Sequence, residues 1–245
     1  MADQPISERN DNRSRRPQSQ AFRDFMARDW GPIAPDAGAM ERRPSADHAA
    51  ARRDRLGREF PGDRLVFPAG QLKTRSNDTD YRFRAHSAFA HLTGLGTDLE
   101  PDAVLVLEPL PDTERALASG EATHEAVLYF RPAATRDTAE FYSDARYGEF
   151  WVGRRPSLAE IAAQTGIRAE HRDQLRDALA KDAGQVQLRI IKDADQTVAE
   201  LVEQVRAEAG PPPADPPAGP TEDPDARLAE AASELRLVKD AYEVA

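Results

Sequence analysis

Short runs of apolar residues recur along this chain and predict buried strands. Each run is four to six residues long, rich in β-formers and bounded by Pro, Gly or Asp. Continuous apolar runs of this length are typical of strands that are covered on both faces. The predicted strands cover residues 64–67, 103–108, 126–131 and 186–191.

Helical spacing fills the stretches between these runs. The clearest case follows a capping Asp195 and carries an apolar stripe at i, i+3, i+4 and i+7, which is typical of a helix packed on a sheet. The stripe is Val198, Leu201, Val202 and Val205. Further helices are predicted from an N-cap at Ser45 to Phe60, from a cap at Ser87 to Leu92 before Gly94, from the capping box 157–160, and over 172–180. Strands interleaved with helices predict an α/β fold with a mixed or largely parallel sheet flanked by helices.

Composition divides the chain into four parts. Residues 1–44 mix Arg, Asp, Ser, Gln and Pro without periodicity, which predicts a disordered arm with at most a short helix around 22–30. Residues 45–208 are predicted to form one domain. Residues 209–225 form a Pro-rich loop or linker, since seven prolines fall within 210–225. Residues 226–245 are predicted to hold the last helix and the start of a further domain.

The C-terminal end allows two interpretations. Asp240-Ala-Tyr-Glu243 is a capping box that would open a new helix, although few residues follow it. A helix needs about 12 residues or tertiary support to persist, so we expect the chain to be truncated at a domain junction. The alternative is one continuous helix from Arg227 to a frayed end, with an accidental capping box.

Composition excludes several classes of protein. The chain lacks Cys, which excludes disulfides, thiolate metal sites and Cys nucleophiles and is typical of a reducing compartment. No signal peptide and no membrane-spanning apolar run is readable, so we expect a cytoplasmic protein without membrane contact. The net charge is −10, and the first 60 residues interleave 12 Arg with 10 acidic residues, so we expect no nucleic-acid partner.

The usual catalytic motifs are missing from the sequence. None of the five histidines stands in an H-x-x-x-H or H-E-x-x-H arrangement, and His124-Glu125 is interpreted as a strand-edge pair. No glycine-rich phosphate loop and no G-x-S-x-G elbow is present. We therefore predict no catalytic residue and no metal ligand in this chain.

Two segments are unusual for a scaffold. Residues 73–84 place four cations, two carboxylates and two aromatic rings in a loop after a buried strand, where loops commonly carry function. Residues 149–155 combine Trp151 with Arg154 and Arg155, which could close over a ligand or a neighbouring subunit. The alternatives are an ion-paired loop for the first segment and a half-buried Trp on a strand for the second.

At these segments the sequence resembles the N-terminal domain of aminopeptidase P, the Xaa-Pro aminopeptidases of the creatinase and prolidase superfamily. The matching pattern is Arg75-Ser-x-Asp78-x-x-Tyr81-x-Phe83-Arg84, then Ser87-x-Phe89, Leu92-Thr93-Gly94, Ala103-Val-Leu-Val-Leu107, Trp151-x-Gly153-Arg154-Arg155 and Glu234-Leu-Arg-Leu-Val-Lys239-Asp240. The resemblance covers residue 45 to the end. Residues 141–148, the Pro-rich 210–225 and the arm before Ser45 depart from the family pattern.

The resemblance implies a non-catalytic domain of a larger metallopeptidase. The parent removes the N-terminal residue before proline with two manganese ions, whose ligand motifs lie outside this chain. In the family this domain mediates oligomer contacts and helps wall the substrate pocket. This implies a role for Trp151 at a neighbour's active-site mouth, for Asp78 in a supporting ion-pair network, and for Arg154 and Arg155 at the interface.

The implied partners are the chain's own catalytic domain, sister subunits and proline-containing peptides. Two alternatives stay open. The chain could be a stand-alone binding or oligomerisation module of the same fold. It could also be the N-terminal half of a prolidase-type dipeptidase.

Overall fold

The computed structural model divides the chain into two compact units. The smaller unit comprises Met1–Ala39 and Pro132–Ser157, and the larger unit comprises Met40–Arg131 and Leu158–Ala245. The structure describes residues 20–26, 28, 41–77, 79–97, 99–134, 136, 138–210 and 223–244. Most of the predicted arm (1–44) and most of the Pro-rich segment (209–225) lie outside the described residues, and the four-part division stays a prediction.

Helices and strands alternate along the described residues. The helices are α1 (Gln20–Met26), α2 (Ala46–Gly57), α3 (Ser87–Thr93), α4 (Thr113–Ser119), α5 (Ala139–Ser143), α6 (Glu149–Val152), α7 (Leu158–Thr165), α8 (Leu175–Ala180), α9 (Gln196–Ala209), α10 (Pro224–Leu237) and α11 (Ala241–Val244). The strands are β1 (Arg64–Pro68), β2 (Thr74–Ser76), β3 (Thr79–Asp80), β4 (Val104–Pro109), β5 (His124–Phe130), β6 (Arg168–His171) and β7 (Leu188–Ile190). Helices α1, α5 and α6 belong to the smaller unit.

Five strands of the larger unit form one mixed sheet in the order β6-β5-β4-β1-β7. The central pairs β1/β4 and β4/β5 are antiparallel, whereas β7 and β6 add in parallel at the two edges. Val66 lies opposite Val106, which in turn lies opposite Val127. The predicted mixed sheet flanked by helices is therefore confirmed.

Both faces of this sheet are buried, which explains why its central strands are continuous apolar runs. Leu65, Leu105 and Leu128 point to one face, which α2, α3, α7 and α10 cover. Val66 and Val106, one position along, point to the other face, which α8 and α9 cover. Full burial of each such side chain contributes about 1.5–3 kcal/mol.

Among the caps of α2, α3 and α9, one follows the sequence prediction and two depart from it. Asp195 caps α9 by accepting from the backbone N–H groups of Thr197 at 2.9 Å and Val198 at 3.3 Å, as predicted. Helix α3 is capped by Nδ1 of His86, not by Ser87. At the start of α2, Ser45 makes no side-chain cap, since its hydroxyl lies 3.4 Å from the Gly94 carbonyl and donates there.

Two separate helices, α10 and α11, close the described chain. The Asp240 carboxylate accepts from the backbone N–H groups of Tyr242 at 3.0 Å and Glu243 at 3.1 Å. The Glu243 carboxylate accepts in return from the Asp240 N–H at 3.3 Å. The predicted capping box is thus formed, and the alternative of one continuous helix is wrong.

The outer side of edge strand β7 is occupied by side chains. The backbone N–H of Ile190 donates to Asp225 at 2.9 Å, and the Leu188 carbonyl accepts from Arg206 at 2.8 Å. Arg206 and Asp225 are themselves joined at 2.7 Å. Side chains from α9 and α10 therefore take up the hydrogen bonds that a further strand would make.

Candidate functional site

Trp151 lies in the smaller unit, on α6. The close approach of α5 to the start of α6 needs glycine at position 148, since a Cβ there would lie 2.6 Å from the Asp144 carbonyl and 2.7 Å from the Phe141 carbonyl. The indole Nε1 of Trp151 donates to the Tyr142 carbonyl at 2.8 Å. Helix α5 thus fixes the orientation of the indole.

The side chains around Trp151 form an exposed apolar strip, here called the α6 ridge. It consists of Phe150, Trp151 and Val152, whose exposed fractions are 41%, 59% and 51%. The rings of Phe150 and Trp151 meet edge to face with centroids 5.3 Å apart. The alternative of a half-buried Trp on a strand is wrong, because this Trp is exposed on a helix. Contiguous exposed apolar groups commonly mark contact sites.

The two arginines after the ridge have different environments. Arg154 is exposed, whereas Arg155 is buried and its guanidinium lies over the Tyr147 ring at 5.4 Å from the centroid. The backbone N–H of Arg155 donates to the Glu149 carboxylate at 3.0 Å, which closes the turn after α6. Trp151, Arg154 and Arg155 therefore share one short segment, in which Arg155 holds the segment together from inside.

Residues 73–84 form the hairpin β2/β3 and the segment that follows it. Asp78, the predicted member of an ion-pair network, lies outside the described residues. Tyr81 is exposed and Phe83 is buried in the core. Arg75 and Arg84 are exposed and meet no carboxylate within the described part of the chain.

His124 and Glu125, interpreted from the sequence as a strand-edge pair, begin β5 and serve the fold. Nε2 of His124 lies 2.8 Å from the Asp63 carbonyl, and burial lowers the pKa of this imidazole below 6.5. Glu125 accepts from Arg168 of β6 at 2.9 Å. Both side chains are thus engaged in contacts within the larger unit.

A second candidate lies in the larger unit, between α3, α10 and the start of α11. It is a hollow of about 440 Å³, here called the basic hollow. Its wall includes four cations and one carboxylate: Arg52, Arg84, Arg236, Lys239 and Glu243. Low-dielectric walls around one sign of charge focus the electrostatic potential and attract counter-ions.

Only one of these four cations is tightly paired. Arg52 lies 2.6 Å from Asp240 and also donates to the His91 carbonyl at 3.0 Å. Arg236 donates to the hydroxyls of Ser87 at 2.7 Å and Ser233 at 3.1 Å, which carry no charge. Lys239 comes no closer than 3.9 Å to Glu243. With Arg84 unpaired among the described residues, the hollow keeps an excess of positive charge.

His91 lies in the wall of the basic hollow with its side chain 8% exposed. Its Nδ1 is 3.3 Å from the Glu243 carboxylate. Its Nε2 is buried and has no hydrogen-bond partner within the described residues. Burial first, and then the Arg52 charge, lower the pKa of His91 below 6.5, which favours the neutral ring with the Nδ1 proton directed at Glu243.

The described residues were compared with what a metal site requires. None of their His, Asp and Glu side chains gather in groups of three or more that could hold an ion. The pair of metal ions implied by the resemblance therefore does not fit this part of the chain. None of the described helices is both long and apolar enough to cross a bilayer.

Comparison with known proteins gives a consistent family match. A family model described as "Aminopeptidase P, N-terminal domain" matches residues 49–191. Xaa-Pro aminopeptidase 1 of Streptomyces coelicolor is 41% identical over 200 residues, which are 81% of this chain and 34% of that protein. Xaa-Pro aminopeptidase 2 of the same organism is 40% identical over 201 residues, 81% of this chain and 36% of that protein. The chain thus spans about a third of the length of these relatives.

Solved structures show the same fold at lower identity. Proline aminopeptidase P II from Yersinia pestis aligns with a TM-score of 0.51 and 21% identity, covering 66% of this chain and 33% of that one. A variant of Escherichia coli aminopeptidase P aligns with a TM-score of 0.53 and 23% identity, covering 68% and 33%.

Proposed function

Because the chain belongs to the family of the aminopeptidase P N-terminal domain, we propose that it serves as the N-terminal domain of an Xaa-Pro aminopeptidase. In this proposal the catalytic part of the enzyme, in the cytoplasm, removes the residue before proline at a pair of manganese ions. The present chain walls the substrate pocket and contacts sister subunits. No step of hydrolysis is assigned to its described residues.

The α6 ridge carries this proposal. An indole offers a large, flat apolar face to a proline ring or a peptide backbone. The hydrogen bond from Trp151 to Tyr142 holds that face in place before binding, so little side-chain entropy is lost when a peptide or a neighbouring subunit covers it. Aromatic anchors of this kind dominate the energetics of contact sites.

The other predicted site residues have supporting roles in this proposal. Arg155 positions the ridge from inside its turn, through Tyr147 and Glu149. Arg154, which is exposed, contacts the neighbouring subunit. For Asp78, which lies outside the described residues, the proposal keeps the supporting ion-pair role that the resemblance implies.

A chimeric enzyme tests the role of Trp151. This chain replaces the matching third of Xaa-Pro aminopeptidase 1 of S. coelicolor, and kcat/KM is measured with an Xaa-Pro peptide and manganese. We expect Trp151→Ala to lower kcat/KM about tenfold or more, since truncation of a central aromatic anchor costs roughly 2 kcal/mol. The melting temperature should hardly change, because the indole is 59% exposed.

Phe25→Ala is the matched control, because Phe25 is 66% exposed on α1 of the same unit. It should leave kcat/KM unchanged. Sedimentation of the chimeras separates the two parts of the proposal. If activity falls while the mass of the oligomer stays the same, Trp151 walls the pocket within its own subunit. If activity falls and the oligomer also dissociates, the wall is supplied across a subunit contact. Full activity of Trp151→Ala would reject the role of the ridge.

A further inference from the structure

We propose that the basic hollow binds free hydrogen phosphate, an oxyanion that keeps one O–H at neutral pH, whereas a phosphate monoester has lost its last P–OH proton there. The proposal rests on the charge and hydrogen bonding of the hollow and does not depend on the function proposed above. The candidate ligand is a small molecule, since the hollow measures about 440 Å³.

Charge indicates an anion. The chain as a whole carries a formal charge of −10, yet Arg84, Arg236 and Lys239 stand together here without a close carboxylate partner among the described residues. Holding like charges side by side opposes folding, and a bound anion removes that cost. Arginine pairs with planar or tetrahedral oxyanions through two parallel N–H donors, and lysine adds a point charge.

His91 narrows the class of anion. With its Nδ1 proton directed at Glu243, the ring presents Nε2 as a lone-pair acceptor. Buried acceptors without a partner are uncommon in native proteins, and the side chain that carries this one lines the hollow. A ligand that satisfies it must therefore donate a hydrogen bond. In this tautomer Nε2 cannot donate a hydrogen bond, so it cannot bind a fully deprotonated anion.

Hydrogen phosphate meets both requirements, because its ionised oxygens accept from the cations while its remaining O–H donates to Nε2. Sulfate has nearly the same size and shape but carries no proton at neutral pH. Carboxylates likewise lack a donor at that pH. The contrast between phosphate and sulfate thus isolates the contribution of His91 from that of the charges.

The test is a calorimetric titration of the 245-residue chain at pH 7.5 and low salt with inorganic phosphate, sulfate and glycerol phosphate. We expect phosphate to bind about tenfold more tightly than sulfate, the effect of one net hydrogen bond. Arg84→Gln and Arg236→Gln should each weaken both anions by about tenfold. The matched control is Arg115→Gln, which removes an exposed cation that does not line the hollow and should change neither affinity.

His91→Gln and His91→Phe should bring the phosphate affinity down to that of sulfate while sulfate binding persists, which also shows that the variants fold. Glycerol phosphate, which has lost its P–OH proton at pH 7.5, should bind less tightly than phosphate, and tighter binding would overturn the proposal. No measurable phosphate binding would overturn the proposal. So would an affinity that Arg84→Gln and Arg236→Gln leave unchanged, or equal affinities for phosphate and sulfate in the unaltered chain.

Discussion

Two clusters of cations in the larger unit differ in what balances them. Beside edge strand β7, Arg206 and Lys192 both lie 2.7 Å from Asp225, a carboxylate that is 4% exposed. In the basic hollow, Arg84 and Arg236 find no carboxylate within the described residues, and Lys239 has only a distant one.

The difference separates charges that hold the fold from charges that are available to a ligand. At β7 both cations have a close carboxylate partner inside the protein, so we expect loss of that partner to lower the stability. In the basic hollow, Arg84 and Arg236 have no carboxylate partner among the described residues. We therefore expect loss of one of these cations to weaken anion binding and to change the free energy of unfolding very little. Three measurements of stability bear on this contrast.

The largest expected effect is at Asp225. Asp225→Ala removes the acceptor of Arg206, Lys192 and the Ile190 N–H, and leaves a partly buried guanidinium without its main partner. We expect the free energy of unfolding to fall by about 3 kcal/mol, measured by urea denaturation. Glu208→Gln breaks the exposed pair with Arg176 and should cost about 0.5 kcal/mol or less. An equal fall in the free energy of unfolding for the two variants would contradict the special role of Asp225.

An intermediate effect is expected from pH. Burial alone would raise the pKa of Asp225, but hydrogen bonds from Arg206, Lys192 and Ile190 hold it below 3.8. A carboxyl with a folded pKa below its unfolded value contributes stability above the unfolded pKa, and this contribution is lost as the pH falls through the folded pKa. Urea midpoints recorded from about pH 5 downwards should therefore fall more steeply for the unaltered chain than for Asp225→Asn, and parallel curves would contradict this.

The smallest effect is expected in the hollow. Without phosphate, Arg84→Gln and Arg236→Gln should change the free energy of unfolding by about 0.5 kcal/mol or less, with a slight gain where like-charge repulsion is relieved. The same denaturation series measures this. A loss above about 1 kcal/mol for Arg84→Gln would show that its cation is part of the fold.

The sequence predicted those strands that are buried on both faces, because such strands are continuous apolar runs. The central strands β1, β4 and β5 are covered on both sides, and their buried positions are apolar except for Arg64 at the start of β1. Edge strand β6 was missed because its residues 168–171 are largely polar, and it is held by backbone pairing to β5 and by the Arg168–Glu125 pair. Helix α6 was missed because four residues are too few to show a helical period.

The site could be predicted only where its residues are close in sequence. The α6 ridge stands out as Phe150, Trp151 and Val152 in one segment, so its unusual composition was visible before its structure. The basic hollow combines Arg52, Arg84 and Arg236, which only the packing of α2, α3 and α10 brings together. Likewise, nothing in the sequence identified His86 as the cap of α3, because its neighbour Ser87 is the better capping residue by type.

The side chains that occupy the outer side of β7 have a consequence for self-association. An open strand edge is a template on which a second molecule can add a strand, and this is a common route to aggregation. Here Asp225 and Arg206 already hold the Ile190 N–H and the Leu188 carbonyl, and at the opposite edge Arg168 and Glu170 place charges along β6. A protein that lost Asp225 would therefore lose solubility as well as stability, because the vacated backbone groups would be open to another chain.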